Sequence, residues 1–338
     1  MNSLQASPHN LIPIAIDAMG GDFAPSEIVA GAVEAVRSEG VPIILVGDKR
    51  AIETELNTHS VDNLPIAIVP SDGVVEEGEQ PAKAFRTKPK ASIFTAVGLV
   101  RQGKATAVVS MGSSGATIAA ATVLFGTFEG IERATLGGPI IGLSPKTIVI
   151  DVGSNVDCRP HQLADFAALG TAMCKIIQGV KDPRVALLSV GAEAGKGNRL
   201  VKETTPLLEA SNLKFIGNIE ASDLPFNRAE VVICDGFVGN VVMKLTEGLG
   251  DALSIHARGL GQKAGEDIAN FIYQMTNQVE MFGGGPILGV NGVAIVGHGR
   301  AKAIAVRRAV HTAHMCVTTG FVQATLEELA RLRDTVHA

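Results

Sequence analysis

The sequence predicts an α/β fold built on a doubly wound, mostly parallel sheet. Three observations carry that prediction. Short runs rich in Val, Ile and Ala alternate with helical patterns, most runs end on Gly or a polar turn, and the composition suits a large core. Of 338 residues, 46% are apolar and 19% charged, with 38 Gly, no Trp and one Tyr, which excludes a disordered chain. Strands covered on both faces read as near-continuous apolar runs, as these do.

Each element follows from a local signal. Residues 12–16 read as a strand and 26–38 as a helix stopped by Gly40. Strands at 42–46 and 65–69 flank a helix at 49–56. A helix at 91–102 precedes a buried strand at 105–110, and another helix begins near Ser114. Later strands lie at 147–150, 184–190, 214–216, 230–234 and 292–296, with helices starting from His161, Asn198, Gly239 and Arg300. Crossovers between parallel strands are expected to be right-handed. No repeat or low-complexity linker marks a boundary, so residues 1–338 read as one α/β catalytic domain with a helical insertion at 249–281.

Bulk properties narrow the function. A formal net charge of −5 without a long Lys/Arg run argues against nucleic acid and against simple adsorption to anionic lipid. It leaves room for a local basic patch facing an acidic protein. Cys158, Cys174, Cys234 and Cys316 are widely spaced and read as buried free thiols in a reducing cytosol. Residues 1–10 lack the charged and apolar regions of a signal peptide, and no apolar run reaches the ~18 residues of a membrane span. A cytoplasmic protein is expected.

Polar and glycine-rich turns gather at the predicted carboxyl ends of the strands, where open α/β sheets bind ligands. They are Asp17-Ala-Met-Gly-Gly-Asp22, Ser110-Met-Gly-Ser-Ser-Gly115, Asp151-Val-Gly-Ser-Asn-Val-Asp157, Gly191-Ala-Glu-Ala-Gly-Lys-Gly-Asn198, Asp235-Gly-Phe-Val-Gly-Asn240 and Gly297-His-Gly-Arg300. One such turn means little; six at one edge describe an anion site. Ser113, Ser114 and Gly115 open a helix, as Lys196 and Asn198 do, and free N–H groups there favour an anion. Lys244 lies one turn beyond Asn240 on the same face.

Familiar motifs fail. The segment from Gly191 to Lys196 is one residue short of a phosphate loop, and Gly197 stands where a magnesium-binding hydroxyl belongs. Gly285 and Gly289 complete no dinucleotide fingerprint, Gly112-Ser-Ser-Gly115 is not a nucleophile elbow, and neither His nor Cys spacing makes a zinc set. No metal and no cofactor are expected.

Ile14-Ala-Ile-Asp-Ala-Met-Gly-Gly-Asp-Phe-Ala-Pro25 resembles the opening signature of the acyl-ACP:phosphate acyltransferase family. The similarity continues, in the family's order, through Asp151 to Asp157, Gly195 to Asn198, Asp235 to Asn240, Gly285-Pro-Ile-Leu-Gly-Val-Asn-Gly292 and Gly297 to Arg300. The resemblance implies an isopropylmalate-dehydrogenase-like fold, a homodimer and no metal or redox cofactor. It implies transfer of a fatty acyl group from acyl carrier protein to inorganic phosphate. The acyl phosphate would feed the membrane enzyme that acylates glycerol 3-phosphate in phospholipid synthesis, with peripheral membrane association through that partner.

Two positions depart from the pattern. Met111-Gly-Ser-Ser-Gly-Ala116 replaces the family's Ala-Gly-Asn-Thr-Gly-Ala, so Ser113 keeps hydrogen-bonding capacity without an amide's reach. The insertion is shorter and more polar than the hydrophobic tip of relatives. Its apolar stripe Ile268, Phe271, Ile272, Met275 and Val279 is backed by acids and amides rather than Lys or Arg, which favours packing on protein over lipid.

Phosphate is already a nucleophile, so the protein needs only to bind it, exclude water and stabilise an oxyanion. Lys196, Asn198, Ser113 and Ser114 are assigned to phosphate or oxyanion contacts, and Asn240 and Lys244 to the facing wall. Asp17, Asp22, Asp151 and Asp235 position donors or take a proton. His298 is either a proton carrier or a turn residue. Gly20, Gly21, Gly115, Gly153, Asn155, Gly236 and Gly239 line the binding turns. The rivals are a coenzyme A phosphotransacylase, a nicotinamide-dependent decarboxylating dehydrogenase, and a non-catalytic membrane-recruiting adaptor.

Overall fold

The computed structural model describes residues 12–333; the signal-peptide reading of residues 1–10 lies outside them. The chain runs β1 (Ile14–Asp17), α1 (Ser26–Glu39), β2 (Ile43–Gly47), α2 (Lys49–Leu56), β3 (Ile66–Pro70), α3 (Pro81–Thr87), α4 (Ser92–Arg101), β4 (Ala107–Ser110) and α5 (Ser114–Phe125). It continues through β5 (Thr135–Pro139), β6 (Ile148–Ile150), α6 (Pro160–Gln178), β7 (Arg184–Leu188), α7 (Arg199–Glu209), β8 (Lys214–Ile219) and β9 (Val231–Ile233). The remainder holds α8 (Gly236–Gly259), α9 (Gln262–Thr276), α10 (Gln278–Phe282), β10 (Gly285–Leu288), β11 (Val293–Val296), α11 (Ala303–Thr318) and α12 (Phe321–Arg333).

The described chain gathers into two compact units. One comprises the chain through Gly126 with Phe282–Pro286 and Val290–Thr318; the other comprises Thr127–Met281, Ile287–Gly289 and the chain from Thr319. No linker marks the division because each unit is assembled from separated segments. Strand order in the first unit is β3-β2-β1-β4-β11-β10, and in the second β10-β5-β6-β9-β7-β8. Strand β10 serves both: Gly285 and Pro286 pair with β11, and Ile287 and Leu288 pair with β5.

The sheet is mixed and mostly parallel. All pairings among β3, β2, β1, β4 and β11 are parallel, as are those among β6, β9, β7 and β8. Every residue of β1, β2, β4, β6, β9 and β11 is buried, as in strands covered on both faces. Edge strands β3 and β8 are only partly buried. The antiparallel exceptions are β5 and β10, which sequence reading passes over. Both are short and contain Gly and Pro, so they carry turn rather than strand chemistry.

Helix boundaries follow their caps. Helix α1 ends at Gly40, whose φ of 68° and N–H bond to Val36 O make a left-handed stop. Asp48 caps α2 by accepting the Ala51 N–H at 2.8 Å. Helix α8 starts at Gly236 rather than near Gly239, because Asp235 supplies its cap. Residues 249–281 hold the second half of α8, all of α9 and most of α10. Small residues let α8 and α9 pack closely: Ser254 donates to Ala269 O at 3.0 Å, and a Cβ on Gly250 would lie 1.7 Å from Thr276 Oγ1. Among the described residues, no helix is long and apolar enough to cross a membrane.

Candidate functional site

In the first unit β1, β4 and β11 lie side by side with Asp17, Ser110 and Val296 in register. Because the three strands are parallel, the turns at 17–22, 110–115 and 297–300 emerge at one edge. Asp17 is 2% exposed. Its Oδ2 accepts the Ser110 hydroxyl at 2.8 Å, and Oδ1 accepts the Met19 N–H at 3.3 Å. Ser110 Oγ accepts the Gly112 N–H at 3.1 Å. Burial pushes the Asp17 carboxyl above its ordinary pKa, opposed by the hydrogen bonds from Ser110 and Met19.

Glycine is required beside that carboxylate. A Cβ on Gly20 would lie 2.6 Å from Asp17 Oδ2 and 2.8 Å from Gly112 N. Gly21 has a φ of +107°, and the Asp22 N–H donates to Gly299 O at 2.8 Å, tying the first turn to the third. Ser113 caps α5, its Oγ accepting the Ala116 N–H at 3.4 Å, which leaves the hydroxyl proton as a donor. Ser114 and Gly115 are exposed in the first turn of that helix. His298 lies in the third turn, its Nδ1 3.4 Å from the Arg300 N–H nitrogen.

In the second unit β6, β9 and β7 are adjacent and parallel, so the turns at 151–157, 235–240 and 189–198 share an edge. Asp151 is fully buried. Oδ1 accepts the Gly153 and Ser154 N–H groups, each at 2.7 Å, and Oδ2 accepts the Asn155 amide at 2.8 Å. Burial raises this carboxyl too, against the pull of those bonds. The Asn155 side-chain amide also donates to Ala134 O at 2.9 Å, and the Asn155 backbone carbonyl accepts the Gly236 N–H at 2.7 Å.

Helix α8 begins against this turn. Asp235 Oδ1 accepts the Val238 N–H at 2.9 Å. A Cβ on Gly236 would meet Asn155 N at 2.9 Å, and one on Gly239 would meet Asp151 O at 1.8 Å. Asn240 is exposed, and a Cβ on Gly153 would lie 3.5 Å from its Cβ. Lys244 donates to Glu247 at 2.8 Å, an i,i+3 pair on its own helix. Across the edge, Asn198 caps α7 by accepting the Val201 N–H at 2.9 Å, leaving its amide N–H₂ as donors. Lys196 is exposed, and its ammonium has no ion-pair partner among the described residues.

Asp17, Gly20, Gly21, Asp22, Ser113, Ser114, Gly115 and His298 thus belong to the first unit. Asp151, Gly153, Asn155, Lys196, Asn198, Asp235, Gly236, Gly239, Asn240 and Lys244 belong to the second. The Asp151 carboxylate is turned into its own loop, and that of Asp17 is turned inward to Ser110 and Met19. Sequence reasoning misses Asn218, whose amide donates to Glu193 O and Lys196 O, both at 3.3 Å. Asn218 sits inside β8, where no local pattern distinguishes it. Cys158 and Cys234 flank the Asp151 turn; burial and nearby carboxylates push the Cys158 thiol up to about 12 and raise Cys234 as well. Among the described residues no group of three or more His, Cys, Asp or Glu is arranged to hold a metal ion.

Known proteins align with this chain over nearly its whole length. Residues 12–324 match the family model described as fatty acid synthesis protein. The phosphate acyltransferase of Trichodesmium erythraeum is 42% identical, covering 90% of this chain and 92% of that one. That of Elusimicrobium minutum is 38% identical, covering 95% and 97%. Among solved structures, the EutD phosphotransacetylase from Staphylococcus aureus superposes with a TM-score of 0.57 at 17% identity, covering 91% of this chain and 94% of that one. The 4-hydroxythreonine-4-phosphate dehydrogenase from Klebsiella pneumoniae gives 0.50 at 15%, covering 90% and 99%. These two likenesses show a shared fold. The chain belongs to the fatty acid synthesis protein family, alongside the phosphate acyltransferases, and is an acyltransferase.

Proposed function

We propose that the protein transfers a fatty acyl group from an acyl carrier protein thioester to inorganic phosphate. The acyl phosphate then serves a membrane enzyme that acylates glycerol 3-phosphate, completing an early step of phospholipid synthesis. The observation that carries this reading is the alignment, at 38–43% identity, with phosphate acyltransferases. The glycine-lined, donor-rich strand edges support it.

A phosphate oxygen attacks the thioester carbonyl, a C–O bond forms, and the tetrahedral oxyanion collapses with loss of the C–S bond. The thiolate leaves and takes a proton. Lys196 is the better anion ligand of the two assigned lysines, because Lys244 is engaged by Glu247. In the second unit Asn198 spends its acceptor on a helix cap and keeps donors for phosphate or oxyanion; Ser113 keeps its hydroxyl proton in the same way at the first unit's own strand edge. In the first unit the exposed residues Ser114 and Gly115 open α5 beside Ser113; in the second Asn240 presents its amide from α8. Asp17, Asp151 and Asp235 position the loops, and His298 returns a proton to the leaving thiolate.

A homodimer is part of this reading. Phe237, Val241, Leu245, Leu249 and Leu253 recur every four residues along α8, each at least 51% exposed. On α9, Ile268 and Phe271 are exposed, while Ile272 and Met275, and Val279 of α10, are half-buried. An apolar stripe of this length is a surface that a second copy would cover. The enzyme works in the cytoplasm and meets the membrane through its partner acyltransferase.

The test is to incubate purified protein with palmitoyl-acyl carrier protein and phosphate, without nucleotide or nicotinamide, and trap acyl phosphate with hydroxylamine. Phosphate-dependent hydroxamate that survives chelator is expected. Turnover with palmitoyl-coenzyme A alone would replace this reading with a coenzyme A phosphotransacylase, and loss of activity with chelator would also overturn it.

A further inference from the structure

Lys196, assigned to phosphate, sits on the loop 189–198 that joins β7 to α7 in the second unit. Gly195 and Gly197 take φ of +84° and +110°, so the lysine backbone is set between two residues in conformations that favour glycine. The Lys196 N–H donates to Glu193 O at 3.2 Å and closes a turn, while Asn198 caps α7. A Cβ on Gly191 would lie 3.1 Å from Lys196 Cγ, so the lysine stem runs back over the end of β7. Those two bonds stay within the loop and its helix. Backbone this rich in glycine needs a further tie to hold one conformation.

Asn218 of β8 supplies that tie. Its half-buried side-chain amide donates to Glu193 O and to Lys196 O, the two carbonyls that bracket the turn. An irregularity in the sheet aims it there. Val185 pairs with Phe215 and Leu187 with Asn218, so β8 takes three steps where β7 takes two. The extra residue is accommodated at Ile216 and Gly217, and Gly217 has a φ of +92°. Side chains alternate between faces, so one inserted residue reverses the face of the positions that follow. Asn218 thereby opposes Leu187 in place of Gly217, and bulges of this kind re-aim side chains beside active sites. Asn218 Oδ1 is buried and has no hydrogen-bond partner among the described residues. A role in packing alone would be met at lower cost by an apolar side chain, so the residue's contribution lies in its two N–H donors.

We propose that Asn218 is a positioning residue for the use of phosphate, acting through Lys196 by fixing the loop that carries its ammonium. The inference rests on the function proposed above. It is tested with wild type, N218A, K196A and N218A/K196A, in phosphate titrations at saturating palmitoyl-acyl carrier protein, with amide hydrogen exchange followed over residues 191–198. N218A should lower kcat/KM for phosphate about tenfold, while its KM for palmitoyl-acyl carrier protein stays at the wild-type value. On the K196A background the same change should cost less than about twofold, because the group it positions is gone. The loop amides of N218A should exchange about tenfold faster than those of wild type, with exchange in α8 unchanged. Unchanged phosphate kinetics overturn the proposal. Equal losses on both backgrounds, or a matching rise in the KM for the carrier substrate, overturn it too, by making Asn218 a residue of the general fold. If N218A fails to fold, N218L, which keeps the volume and lacks the donors, takes its place in the same cycle. Wild type that makes no acyl phosphate overturns the function reading and the phosphate role with it. Loop exchange that N218A leaves unaltered, with wild type active, overturns the positioning alone.

Discussion

Gly239→Ala tests whether the contact between α8 and the Asp151 turn sustains the second unit. The added Cβ would lie 1.8 Å from Asp151 O, where real contacts essentially never fall under 3.0 Å, so helix or turn must move by about 1.2 Å. Neither can move cheaply. The Asp151 carboxylate holds Gly153, Ser154 and Asn155, and the Asp151 N–H is bonded to Cys234 O at 3.0 Å. On the other side the Gly236 N–H is bonded to Asn155 O at 2.7 Å, and Asp235 caps the helix. Overpacking against fixed backbone falls at the upper end of its usual range, about 3 kcal/mol. For a unit of this size that lowers Tm by about 6 to 12 °C. Because α8 carries Asn240 and Lys244, acyl phosphate formation should fall as well. Gly248→Ala is the control on the same helix: nothing lies within 4 Å of its Cβ position, so it should be neutral or stabilising by up to ~1 kcal/mol. Differential scanning calorimetry and the hydroxylamine assay read both variants. If Gly239→Ala melts and turns over like Gly248→Ala, the close approach does not sustain this unit and the reasoning fails.

Three further outcomes are expected. Lys196→Ala should reduce kcat/KM for phosphate by about 10- to 150-fold, the worth of one charge-assisted contact at about 1.5–3 kcal/mol; unchanged phosphate kinetics would make Lys196 a solvated surface charge. Asp17 has a raised folded pKa, so its contribution to stability is fully present below the unfolded value and is lost as pH rises through the folded one. Asp17→Asn removes that loss, and its Tm relative to wild type should improve steadily as pH is raised across that window; a constant difference would contradict the burial argument. Phe271→Asp should shift a dimer toward monomer in analytical ultracentrifugation while wild type stays in the supernatant with anionic vesicles. Vesicle binding that the substitution removes, with the dimer intact, would turn the α9 stripe toward lipid.

What the sequence determined by itself is local. Helix α2 falls at Lys49–Leu56 as expected because an Asp48 cap and the helical repeat act within one or two turns. Helix α1 stops where Gly40 alone can turn left-handed. Buried parallel strands were legible because both faces demand apolar residues, and parallel strands bring their following turns to one edge whatever their order. Tertiary structure decided what depends on distant partners. Strands β5 and β10 exist through antiparallel pairing of segments far apart in the chain, which outweighs their Gly and Pro content. The Asp17 carboxylate turns inward because Ser110, 93 residues away, meets it in register. Asp151 faces its own loop, and Lys244 but not Lys196 is spent on a carboxylate, distinctions that residue types cannot carry. The division into two units was invisible for the same reason: hydrophobic burial and strand pairing act through space, and each unit draws on segments that the chain keeps apart.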